Sequence, residues 1–165
     1  MKKIFYSIFI LAVFILINQC AGYKPIFSTT NLQFKIAEHE IKGNKLLGNK
    51  LYSRLHILSK SKNNEQNIRN ITLILNVKKT KSATSKDSSG KILEYKINLN
   101  TQVIVNNYLN DDQLLNHNFD YTSSYKVQDQ YFDTIKYENK TQDDMINKTY
   151  QDLLIKLSEK IGNDN

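Results

Sequence analysis

The chain has 165 residues, with 23 Lys+Arg against 16 Asp+Glu for a formal charge of +7, and contains one cysteine, one proline and no tryptophan. That length makes one domain, able to bury roughly two-thirds of its unfolded surface without a disulfide or a structural metal. A single cysteine rules out an internal disulfide and a cysteine-ligated metal cluster, and the composition rules out collagen-like, coiled-coil and polytopic membrane classes.

Met1-Lys2-Lys3 is followed by an apolar stretch, residues 4–17, whose one polar side chain is Ser7. A membrane-spanning helix needs about 20 apolar residues, so this run is short for an anchor and suits a secretory signal. The only cysteine, Cys20, follows within three positions, after Asn18 and Gln19 and before Ala21 and Gly22. This order resembles a bacterial lipoprotein signal, in which the thiol takes a diacylglycerol and the new amino terminus is acylated. Two or more chains suit the physics, because each buried methylene contributes about 0.8 kcal/mol and one acyl chain holds only marginally. Gln19 stands where such signals carry Gly, Ala or Ser. Residues after Cys20 include no acidic inner-membrane retention signal, which implies sorting to the outer membrane.

Tyr23-Lys24-Pro25-Ile26-Phe27 reads as an extended tether. A first strand is expected from Phe34 and Ile36 through Glu38 to Ile41, ending at Gly43. From Asn44, a plausible N-cap, Leu47, Leu51, Leu55 and Leu58 form one helix stripe, weakened by about 1 kcal/mol at Gly48. Residues 60–66 read as a loop. Ile71, Leu73, Leu75 and Val77 then face one side of a strand, and after Asp87-Ser88-Ser89-Gly90 a second odd-numbered series runs from Leu93 to Val105. Odd residues pair with odd ones only across an odd-length loop, which Ser88-Ser89-Gly90 provides if Gly90 is left-handed. A polar connection at 106–118 leads to a third odd series in 119–127. Thr141 and Asp144 resemble a capping box for a final helix bearing Ile146, Tyr150, Leu153, Leu157 and Ile161, with an earlier start near Asp133 left open and Gly162 as its stop.

Even-numbered strand positions are mostly polar, so one sheet face is apolar. The expected architecture is α+β, a two-layer sandwich with a four-stranded mixed sheet and two helices packed on one face. Residues 1–19 form the signal peptide, 20–31 the lipid anchor and tether, 32–162 the single domain and 163–165 a tail.

Lys78, Lys79, Lys81, Lys86, Lys91 and Lys96 stand against Asp87 and Glu94, a net charge of +4 along one hairpin, whereas 111–145 carries a net of −5. These lysines are candidate contacts for the phosphates and carboxylates of lipopolysaccharide or for an acidic partner, with attraction that salt would weaken. A solvated face whose lysines blunt strand aggregation is the alternative. Secretion removes the chain from nucleic acid, so no nucleic-acid partner is expected. Tyr95, Tyr121 and Tyr125 fall on the inward parity. His39, His56 and His117 show no shared metal-ligand spacing, and the pairs Asp111-Asp112 and Asp143-Asp144 suit a turn and a helix start. Without G-x-S-x-G, H-E-x-x-H or a glycine-rich phosphate loop, no catalytic activity, cofactor or metal is expected.

Cys20 with Gly22-Tyr23-Lys24-Pro25, the long hairpin with its tip at 87–90, the strand at 119–127 and the amphipathic C-terminal helix together resemble the lipopolysaccharide-assembly lipoproteins of the LptE family. The resemblance implies a sheet with two helices on one side and a non-enzymatic protein anchored in the outer membrane. It further implies that the protein plugs the large β-barrel translocon LptD and helps place lipopolysaccharide in the outer leaflet. Cys20 is the one positioned residue that transfers. A periplasmic lipoprotein that regulates a cell-wall synthase by direct binding is the alternative.

Overall fold

A computed structural model describes residues 32–60 and 68–161; the leader at 1–19, Cys20, the tether at 20–31, loop residues 61–67, Gly162 and the tail at 163–165 lie outside the described residues. The elements follow the order β1 (Phe34–Gly43), α1 (Lys45–Lys60), β2 (Arg69–Lys86), β3 (Ile92–Asn107), β4 (Gln113–Lys126) and α2 (Tyr131–Ile161). The four strands make one mixed sheet in spatial order β1-β2-β3-β4. β1 runs parallel to β2 by way of α1, while β2, β3 and β4 form an antiparallel meander. Both helices cover the same face, as the alternation of apolar and polar strand residues requires.

The core is built from that alternation. Ile71, Leu73, Leu75 and Val77 of β2 are at most 1% exposed; Leu73 and Leu75 lie opposite Val105 and Val103 of β3, and Ile97 and Leu99 extend the same core. Leu47, Leu51 and Leu55 of α1 and Ile146, Leu153 and Leu157 of α2 close over them, each fully buried. Burial of each such side chain contributes about 1.5–3 kcal/mol.

The crossing from β1 into α1 is tight. Gly43 has a φ of 73°, and a Cβ there would run into the carbonyl oxygen of Val77, so the position needs glycine on both counts. The amide of Asn44 donates to that same carbonyl at 2.7 Å, and the Asn44 side chain caps the helix by accepting from the Leu47 amide at 3.1 Å. At Gly48 the helix approaches β1 so closely that a Cβ would meet Cγ2 of Ile41. The glycine that weakens the isolated helix thus brings it against the sheet.

Three expectations need correction. A register shift between Ile36 and Glu38 inserts an extra residue in β1, so Glu38 is exposed while Ile41 faces the core. The 106–118 connection is mostly strand: Asn107 and Asp112 close a short turn, β4 begins at Gln113, and Leu115 buries its side chain. Thr141 and Asp144 do not cap a helix, because α2 starts at Tyr131, two residues from the alternative start near Asp133, and runs through them. Its start is fixed instead by Thr134, whose Oγ1 accepts from the Gln128 amide at 2.8 Å.

The β2–β3 tip follows its turn chemistry. The Asp87 amide donates to the Lys91 carbonyl at 2.9 Å and the Gly90 amide to the Asp87 carbonyl at 3.0 Å, with Gly90 at a φ of 87°. Ser88-Ser89-Gly90 therefore forms the three-residue loop, and odd pairs with odd from Val77–Thr101 to Ala83–Tyr95.

Candidate functional site

The six hairpin lysines do not form one patch, because strand parity divides them. Lys79 and Lys81 occupy odd positions and point toward the helical layer, where they meet Glu138 of α2. Lys81 Nζ lies 2.6 Å from Glu138 Oε2 and 4.1 Å from the centre of the Tyr95 ring. Lys79 Nζ donates to Gln142 Oε1 at 3.2 Å and stands 3.8 Å from Glu138 Oε1. The Tyr125 hydroxyl donates to Glu138 Oε2 at 2.7 Å. One carboxylate, its side chain only 13% exposed, thus gathers two ammonium groups and a phenol.

The electrostatics of this clamp follow from its place. Burial pushes the Glu138 carboxyl upward, but the hydrogen bonds from Lys81 and Tyr125 and the two lysine charges outweigh it and hold the group below its ordinary value. Burial pulls Lys81 down, yet Glu138 and Tyr125 more than offset this and raise it. Tyr125 is pushed up to about 12, first by burial, with Lys81 pulling it down and the Glu138 carboxylate adding to the rise. At neutral pH the clamp is therefore a closed ion pair.

Lys78, Lys86, Lys91 and Lys96 lie elsewhere. Lys78 and Lys96 occupy even positions on the face that no helix covers, and Lys86 and Lys91 flank the tip. Among the described residues none of these four makes an ion pair within 4 Å. At the tip Asp87 Oδ1 accepts from the Ser89 hydroxyl at 2.6 Å and from the Ser89 and Lys91 amides at 2.9 Å. The Ser89 hydroxyl chiefly, with those amides and the Lys91 charge, lowers the Asp87 carboxyl below its usual range.

The uncovered sheet face is a polar ladder across β2, β3 and β4. Asn98 donates to Thr80 at 3.5 Å and accepts from Thr122 at 2.8 Å; Asn100 donates to Asp120 at 2.5 Å and Gln102 to Asn116 at 3.3 Å. These amides and hydroxyls retain unused donors and acceptors on the solvent side. Ile74 and Ile104 form a half-buried aliphatic pair within the ladder.

The remaining singled-out residues have local roles. His39 stacks on Tyr52 with ring centres 3.9 Å apart, His56 stacks on the same tyrosine at 5.3 Å, and His117 meets Phe119 edge-on at 4.7 Å. Tyr121 donates to Asp152, and burial first, with that carboxylate second, raises its phenol. Asp143 pairs with Lys50 of α1 at 2.6 Å, and Asp144 with Lys140 at 3.0 Å. Glu138, which sequence reasoning did not single out, had a signal: Thr134, Glu138 and Gln142 recur every four residues as a polar helix stripe facing inward. Tyr131 and Phe132, 80% and 75% exposed, were likewise not anticipated. Next to them a cleft of about 400 Å³ is lined by Gln128, Asp133, Lys136, Tyr137 and Lys140.

No protein-family profile matches the chain, and no curated protein matches it. Solved structures do. A lipoprotein from Caulobacter crescentus, 14% identical, superposes with a TM-score of 0.57 over 83% of this chain and 96% of its own. Rare lipoprotein B from Shewanella oneidensis, 13% identical, gives 0.51 over 78% and 99%. Lipoprotein B from Nitrosomonas europaea, 15% identical, gives 0.53 over 81% and 88%. The chain is thus similar in fold, over most of its length, to several bacterial lipoproteins.

Proposed function

We propose that this chain is an outer-membrane lipoprotein, anchored through Cys20 on the periplasmic side. It occupies the lumen of a large LptD-like β-barrel, supports that barrel's assembly and helps deliver lipopolysaccharide to the outer leaflet. The observation that carries this reading is the bare sheet face. A domain that buries its apolar strand residues under two helices, yet leaves a flat ladder of Asn, Gln, Thr and Asp open, offers hydrogen-bonding groups to a polar wall. The inner wall of a wide barrel is polar, so face and lumen are complementary in chemistry. The common fold with bacterial lipoproteins and the spacing of Cys20 after the apolar leader support the anchor.

The mechanism is occupancy. Acyl chains and tether set the depth, the open face lies along the lumen wall, and Lys78, Lys86, Lys91 and Lys96 present point charges to phosphate groups without the bidentate fork of arginine. No residue is assigned a bond-making or bond-breaking step. Pull-down of the chain from detergent-solubilised outer membranes tests the reading. Recovery of a large β-barrel in near-equal amount is the expected result, and recovery of a peptidoglycan synthase instead would replace this function with regulation of cell-wall synthesis.

A further inference from the structure

The chain enters the domain and turns from β3 to β4 at the same end of the molecule. Gln33 accepts from the Arg69 amide at 3.3 Å where β1 begins, Lys35 is paired with Asn70, and the Asn70 carbonyl accepts from the Tyr108 amide at 3.0 Å. Lys35, Asn70 and Tyr108 therefore lie in one row across three strands, about 10 Å from first to last. The described chain begins beside this turn, at Leu32.

The turn holds an apolar side chain out in water. Leu109 is 83% exposed, the most exposed large apolar side chain among the described residues, and Tyr108 beside it is 46% exposed. The backbone of the turn is braced. The Asn107 amide donates to the Asp112 carbonyl at 2.8 Å and the Asp111 amide to the Asn107 carbonyl at 2.9 Å, with Asp111 at a φ of 58°. The Asn107 side chain accepts from the Leu109 amide at 3.0 Å, and Asn106 donates to Asp111 at 2.8 Å. A turn so braced has already met the backbone part of the ordering cost of contact. Leucine at the apex with tyrosine behind it matches a bilayer interface, with the aliphatic group among acyl chains and the phenol at headgroup level.

We infer that the Tyr108–Leu109 turn is a non-covalent foothold that seats the free chain end-on upon a zwitterionic phospholipid surface before it meets its barrel. This rests on the reading of Cys20 as the lipid anchor. Two side chains alone do not hold a protein on a membrane, but an acyl anchor supplies the local concentration that makes a weak contact count. The 12 residues from Cys20 to Asn31 span at most about 40 Å, a leash that confines this end near the anchor and lets it reach the leaflet. Charges near the turn are of both signs, with Lys35 and Arg69 against Asp111 and Asp112, which favours neutral headgroups over strongly anionic ones. Seated this way, the domain lifts the β2–β3 tip about 50 Å off the leaflet, the length of a 16-residue strand, and leaves the open face free to meet the barrel.

Because the chain has no tryptophan, Leu109→Trp and Ser89→Trp each introduce a single fluorescent depth probe, one at the turn and one at the far hairpin tip. The full acylated chain is reconstituted into phosphatidylethanolamine–phosphatidylcholine vesicles with and without brominated acyl chains. The expected result is a blue-shifted Leu109→Trp emission quenched at least twofold by the brominated lipid, with Ser89→Trp unquenched. Protein that floats with the vesicles while Leu109→Trp stays as unquenched as Ser89→Trp would overturn the foothold and leave the anchor intact. Protein that fails to float would overturn the anchor, and the foothold with it.

Discussion

Glu138 joins the two layers through charge where the rest of the molecule joins them through apolar contact. Its lowered pKa has a direct consequence for stability. A carboxyl whose folded value lies below its ordinary value of 4.5 binds fewer protons folded than unfolded as pH falls through that window. Its contribution is therefore fully present above about pH 4.5 and is lost as pH drops through the folded value. Glu138→Gln should lower stability at pH 7 by about 1–3 kcal/mol, since it leaves Lys81 and Tyr125 short of a charged partner. Urea midpoints of the two proteins should converge as pH falls below 4.5; a gap that stays constant down to pH 3 would contradict the clamp. Thr101 offers the opposite case, because its buried hydroxyl has no hydrogen-bond partner. Thr101→Val should raise stability by about 1 kcal/mol, read as a higher urea midpoint.

The lysines separate by the element face they occupy. Replacing Lys78, Lys86, Lys91 and Lys96 with Gln should weaken binding of lipopolysaccharide at low salt by about tenfold while thermal stability changes little. Replacing Lys79 and Lys81 should instead cost stability, because these two hold Glu138. Equal loss of binding from both sets, measured by titration at 20–50 mM salt on the scale of the screening length, would show that strand parity does not sort them.

β2 and β3 were legible because an unbroken period of two coincided with a turn whose residues demand one loop length, so two independent signals fixed one register. The first three turns of α2 were legible only as the open alternative of a start near Asp133, because their inward residues are Thr134, Glu138 and Gln142; a helix that buries polar groups against lysines shows no apolar stripe. The start of β4 was hidden for a related reason, since polar Asn116, His117 and Asn118 interrupt the pattern between Leu115 and Phe119. In β1 a single inserted residue reversed the phase, which alternation alone does not reveal. Lys79 and Lys81 continue the odd series of Ile71 to Val77 onto the inward face, but the grouping of six lysines counted charge along the chain and not across the sheet.

At the scale of the whole molecule the fold is asymmetric by design of its sheet: one face is closed by α1 and α2, and the other is an open polar ladder, with the start of β1 at one end and the basic tip at the other. The proposed plug depends on that asymmetry, since a polar lumen wall would meet the ladder and not the helices. Cys20→Ala should abolish acyl labelling and release the chain from the membrane, and persistent labelling would show that the lipid is attached elsewhere. The most direct test places a photocrosslinking residue at Asn98 on the open face and, separately, at Ser53 on the outer side of α1 in cells. The account predicts that Asn98 captures a large, heat-modifiable β-barrel of the outer membrane and that its yield exceeds that from Ser53 several-fold; a bare sheet face that captures no barrel would contradict it.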